Sequence, residues 1–167
     1  MKWILSFLLF LFMAPVFAQD QKTTVSVNDF TPALGTLQGS LSYLDYSSGK
    51  PFTMPANVAI RVLTGKPNGI ILTIDYPKEP KANGNDTLFI SRDGDLLNGA
   101  KIVSRKILID GSLEIVTDKD GRDGNDNKKA ILRHIYTISK TKFTNRKEVK
   151  FEGTDTWILR NEYLFSR

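Results

Sequence analysis

From Leu37 onward, apolar and polar residues alternate with a period of two in short runs broken by dense turn signals, a pattern that points to antiparallel β-structure. Val58-Ala59-Ile60-Arg61-Val62, Ile70 to Tyr76, Lys101 to Ile109 and Leu113 to Thr117 are rich in Ile, Val, Leu and Thr. Between and around them fall Ser48-Gly49-Lys50-Pro51, Lys66-Pro67-Asn68-Gly69, Asn83-Gly84-Asn85-Asp86, Asp93-Gly94-Asp95, Asp110-Gly111 and Asp120-Gly121. Such spacing predicts an all-β chain of about eight to ten antiparallel strands, a meander closing into a barrel or a two-sheet sandwich. A short helical turn is expected over Asn28 to Leu34, before the first strand. No internal repeat or low-complexity block interrupts the pattern.

The first residues obey a different rule. Met1 to Phe17 reads MKWILSFLLFLFMAPVF, with an early Lys2, an apolar run from Trp3 to Met13 and then Ala14-Pro15 before Val16-Phe17-Ala18. This is the layout of a secretory signal, and the run is shorter than the roughly 20 residues a membrane-spanning helix needs. Residues 1–18 are therefore read as a signal peptide, 19–36 as an N-terminal segment and 37–167 as a single β-barrel domain. The mature protein is expected to be exported, periplasmic or secreted.

Composition excludes several chemistries. With no cysteine among 167 residues there is no disulfide, Cys-ligated metal site or thiol nucleophile, and a single histidine rules out any site that needs two. The 23 Lys plus Arg against 18 Asp plus Glu leave a surplus of +5, too diffuse to indicate nucleic acid. No G-x-S-x-G elbow is present, and His134 would have to serve any serine alone, so the chain is read as leaning away from an enzyme. No metal and no cofactor are expected.

The C-terminal hairpin can be registered by its apolar positions. If Phe143 to Phe151 pairs with Trp157 to Phe165 across Gly153-Thr154-Asp155, then Phe151 faces Trp157, Val149 faces Leu159, Lys147 faces Asn161, Asn145 faces Tyr163 and Phe143 faces Phe165. The other face pairs Glu148 with Arg160 and Arg146 with Glu162, a solvated ladder, and a slip of one residue would turn each apolar set over. If the preceding strand turns at Lys140-Thr141, Ile138 faces Phe143, Tyr136 faces Asn145, His134 faces Lys147 and Leu132 faces Val149. A register one residue away would instead turn Ile131, Arg133 and Ile135 inward.

In the first register two polar rows cross an apolar wall: His134, Lys147 and Asn161, then Tyr136, Asn145 and Tyr163. Burying an ammonium without a partner is costly, so an inward Lys147 needs water, a nearby anion or an acidic ligand. These six residues are the candidate ligand-binding set, for a small amphipathic or carboxylate-bearing hydrophobic molecule. The competing reading is a filled core in which Lys147 extends to the barrel mouth and the Tyr and Asn groups bond to one another.

With Gly35-Thr36-Leu37-Gln38-Gly39-Ser40-Leu41 as the first strand, successive hairpins and a closing Arg160-Asn161-Glu162-Tyr163, most of the mature chain resembles small exported bacterial lipocalin-like (calycin) barrel proteins. The resemblance implies carriage or sensing of a small hydrophobic ligand in the barrel mouth. It implies no catalytic residues.

Three other features bear on function. Asp118 to Asn127 is rich in oxygen ligands, but counting from Asp118 the sixth and twelfth positions of a calcium loop hold Asp123 and Lys129 in place of glycine and glutamate. A solvated hairpin loop is the expectation there. An outer-membrane barrel would set Lys147 in lipid at about 2–4 kcal/mol, which counts against a membrane-spanning protein. The two long loops, Tyr76 to Asp86 and Asp118 to Lys128, are the alternative contact surface, for a protein or glycan partner if they share one end of the barrel.

Overall fold

The computed structural model describes residues 23–167; the segment read as a signal peptide lies outside the described residues. The fold is an antiparallel meander of ten strands: β1 (Gly35–Asp45), β2 (Lys50–Val62), β3 (Gly69–Asp75), β4 (Gly84–Phe89), β5 (Leu96–Leu97), β6 (Ala100–Ile107), β7 (Leu113–Asp123), β8 (Lys128–Ile138), β9 (Lys142–Phe151) and β10 (Ile158–Ser166). Each strand pairs with its neighbour in sequence except β4 with β5, β1 pairs with β10, and an isolated bridge between Ile90 and Leu97 links the β4 and β5 sides. The result is a nearly closed, lipocalin-like barrel, which leaves few strand edges free.

One end is sealed. A 3-10 helix, Val27–Ala33, lies across it with Phe30 and Ala33 fully buried, and the Phe30 ring meets Tyr136 edge-on at 6.4 Å. Arg105 holds this helix through Asp29 at 2.6 Å, and the Arg167 guanidinium bonds the Leu34 carbonyl. Below it Leu37, Val58, Ile60, Ile70, Leu88, Ile115, Ile138, Phe143 and Phe165 form the core, all essentially without solvent contact. Gly39 lets β1 approach β10 closely: a Cβ there would sit 1.9 Å from the Leu164 carbonyl oxygen.

The other end is uneven. β3 reaches β2 only along Asn57–Val62, and β6 reaches β7 only through Leu113–Asp118. The wall β7-β8-β9-β10-β1-β2 therefore stands above the low wall β3 to β6, with the β2 edge at 50–56 and the β7 edge at 119–123 unpaired by strands. Because connections of a meander alternate ends, the β3–β4 connection at 76–83 and the β7–β8 turn at 124–127 share this open end. Both loops are shorter than the sequence suggested, since β4 begins at Gly84 and β7 continues through Asp120-Gly121 to Asp123. Pairing with Ala130 and Lys129 carries β7 across that turn signal.

The β8–β9 register is the first of the two expected, Ile138 opposite Phe143 through Ala130 opposite Phe151. The β9–β10 register holds from Ser166 down to Asn161 opposite Lys147, then shifts by one residue. Arg160 is the extra residue of a β-bulge, so Ile158 faces Val149 and Leu159 faces Glu148. The expected pairs Val149 with Leu159 and Glu148 with Arg160 are thereby corrected: Leu159 is turned outward and exposed, and Glu148 takes Arg146 on its own strand at 2.6 Å. A bulge re-aims one side chain, which alternation alone does not encode.

Candidate functional site

Two rows of inward-facing residues occupy the tall wall just above the sealed core. The lower row runs Ile115, Tyr136, Asn145, Tyr163, Leu41 and Met54, and the upper row Thr117, His134, Lys147, Asn161, Tyr43 and Phe52. All six residues singled out from the sequence fall in these rows and on one face. Tyr136 is buried and the other five are half-buried, so solvent reaches the rows from the open end. Above them Leu132, Val149, Ile158, Ala130 and Phe151 resume an apolar face.

Direct contacts within the six are few. His134 Nδ1 lies 3.0 Å from Asn145 Oδ1, and the His134 and Tyr136 rings stack at 5.9 Å. Tyr163 bonds outside the set, its hydroxyl 2.7 Å from that of Tyr76 at the end of β3. Burial pulls the His134 pKa below its ordinary value; the Asn145 bond opposes this and the Lys147 charge adds to it. The ring is neutral at pH 7. Burial raises both Tyr136 and Tyr163, Tyr163 also through the Tyr76 bond, so both hydroxyls keep their protons.

Lys147 points inward but has a partner. Its Nζ lies 2.5 Å from Asp123 Oδ2, and the bulged Arg160 places Nε 3.5 Å from Asp123 Oδ1. Arg160 also bonds the Leu44 carbonyl and stacks on the Tyr46 ring at 4.3 Å. Asp123 is only 9 % exposed, and burial alone would raise its pKa. Hydrogen bonds from Lys147 and the Gly124 N–H, with the Lys147 and Arg160 charges, outweigh that and lower it. The anion that the sequence required beside Lys147 is thus a side chain of this protein. Asp123 was missed because its run reads as a solvated loop; the alternation from Leu113 through Thr117 to Asp123 is the signal that places it on the inner face.

Two more carboxylates of that acidic run are engaged, Asp118 with Arg133 through two bonds of 2.8 Å and Asp126 with Lys128 at 3.0 Å. Sequence reasoning also missed the β1–β2 contribution: Leu41, Tyr43, Phe52 and Met54 extend the two rows, with Tyr43 and Phe52 rings 5.5 Å apart. Phe52 is 48 % exposed although it faces inward, because β3 does not rise to cover it. Their i, i+2 spacing was the available signal.

A separate concavity lies at the same end. A cleft of about 900 Å³ is lined by Gly121, Arg122, Lys129, Ile131, Lys150 and Phe151, among others, and contains none of the six. Among the described residues no helix is long and apolar enough to cross a membrane. No protein-family model matches the sequence, and no curated protein is significantly similar to it.

Proposed function

We propose that this is an exported, non-catalytic binding protein that holds a small amphipathic molecule at the open end of its barrel. The observation that carries the reading is the change along the inner face, from the fully buried row of Phe143, Phe165 and Ile138 to the rows one and two steps above, where His134, Asn145, Lys147, Asn161 and Tyr163 are half-buried. The aromatic and aliphatic side chains of Leu41, Tyr43, Phe52 and Met54 continue the same rows onto β1 and β2, so polar groups and an apolar surface adjoin, the usual composition of a small-molecule site. His134, Tyr136, Asn145, Lys147, Asn161 and Tyr163 form the polar side.

The test is native mass spectrometry of the protein isolated from its own host without detergent, followed by titration with the fluorescent amphiphile 1-N-phenylnaphthylamine. A discrete mass lost on denaturation, or saturable one-to-one binding of the probe, supports the reading. A bare protein that also leaves the probe unbound overturns it.

The rim cleft favours a second reading, an interaction module that uses the loop-bearing end. Its lining includes the apolar Ile131 and Phe151 together with Arg122, Lys129 and Lys150, and the β3–β4 and β7–β8 connections stand at the same end. Substitution Ile131→Asp should abolish partner capture from host extract while leaving probe binding intact. Loss of probe binding with retained capture would reverse the assignment.

A further inference from the structure

The charges of the open end restrict what it can take. Nearest the polar rows are Lys147 and Arg160, both drawn to Asp123, and Asp86, which β4 presents inward opposite Leu72. At the rows themselves two cations and two carboxylates balance, while Lys119, opposite the inward Leu132, stands exposed one step above. Neither cation is a free anchor for an acid, because a ligand carboxylate would have to displace Asp123 from a site where that side chain is 9 % exposed.

Within the two rows the polar groups without partners are uncharged. Tyr136 is only 3 % exposed and faces inward, yet its hydroxyl has no hydrogen-bond partner among the described residues, and the Asn161 amide has none either. That hydroxyl is not sealed from solvent, so water completes it until a ligand group takes the place of the water. With the Asn145 oxygen toward the ring, His134 Nδ1 carries the proton and Nε2 is left as an acceptor. The unfilled positions are therefore a phenol donor, an amide and an imidazole acceptor, beside the apolar Leu41, Phe52 and Met54.

From this juxtaposition we infer that the open end selects an uncharged amphiphile, an aliphatic body bearing hydroxyl or carbonyl groups, over a fatty acid or an amine of the same length. The inference rests on the interior-binding reading above. A site that completes its hydrogen bonds with neutral groups rejects a ligand that brings an uncompensated charge or lacks the matching group.

The experiment is displacement of bound 1-N-phenylnaphthylamine at pH 7 by 1-decanol, decanoate and decylamine. Decanol is expected to displace the probe at about tenfold lower concentration than either ion. Tyr136→Phe, which keeps the ring, should remove about five- to tenfold of that advantage. Equal potency of the three overturns the inference and leaves binding intact, the polar groups then holding water alone. Preference for decanoate would make Lys147 and Arg160 the anchor, and preference for decylamine would make Asp86 the counter-ion; either overturns it. Failure of the probe to bind at all removes the interior-binding reading together with this one.

Discussion

Lys147 and Asp123 lie 24 residues apart and two strands apart, yet their charged groups meet at 2.5 Å over the open end of the barrel. The contact joins the far end of β7 to the middle of β9, and Arg160 of β10 joins it from the bulge. Three strands are thereby tied at the height where β6 no longer supports β7.

Removing the carboxylate should loosen that tie. Asp123→Asn leaves Lys147, 20 % exposed, and Arg160 without their shared anion, and is expected to destabilise the fold by about 1–3 kcal/mol in urea unfolding. Asp126→Asn, whose pair with Lys128 is mostly solvated, should change stability by less than about 0.5 kcal/mol. Equal effects of the two would count against a structural role for Asp123.

His134 gives stability a defined pH dependence. Its pKa in the fold is below the ordinary 6.5, so between those values the unfolded chain binds a proton that the folded chain does not. The contribution is fully present above about pH 6.5 and declines as pH falls toward the folded value. Urea midpoints measured from pH 7.5 to 5.5 should fall for the wild type and fall less for His134→Asn. Parallel curves would contradict this.

Gly39 is fixed by the approach of β1 to β10. Gly39→Ala puts a Cβ against the Leu164 carbonyl and is expected to cost about 3 kcal/mol or more, read as a lost or sharply lowered thermal transition. Gly49→Ala makes no such contact; its positive φ of 67° is the only strain, costing about 1 kcal/mol.

The exposed upper edge of β2 carries Pro51 and Pro55, paired to Leu44 and Ser40 of β1. A proline fits that ladder only where its nitrogen faces away from β1, so both blunt the edge that β3 leaves open. The double substitution Pro51→Val, Pro55→Val should keep the barrel but promote edge-to-edge association, seen as dimers or aggregates in size-exclusion chromatography with light scattering. An unchanged monomer fraction would show that the edge needs no protection.

Much of the fold is legible in period-two alternation, because inner and outer residues of a strand differ in burial over the whole barrel. Ile138 opposite Phe143 and Tyr163 opposite Asn145 follow from that alone. Arg160 does not, since a bulge adds one residue without altering the composition of either face. Asp123 was hidden for a related reason: Asp120-Gly121 reads as a turn, but β8 offers partners for two residues beyond it, and the ladder continues. The unequal height of the walls, which exposes Phe52, depends on where β3 and β6 stop relative to their neighbours, a property of no single segment.

The most direct test of the binding site is a ¹H–¹⁵N correlation titration of the assigned protein with 1-decanol. The expected result is saturable shifts at the amides of His134, Asn145, Asn161, Tyr163 and Phe52, with those of Lys129, Ile131 and Lys150 unmoved. Shifts confined to Gly121, Lys129, Ile131, Lys150 and Phe151 would place binding in the rim cleft and contradict the account.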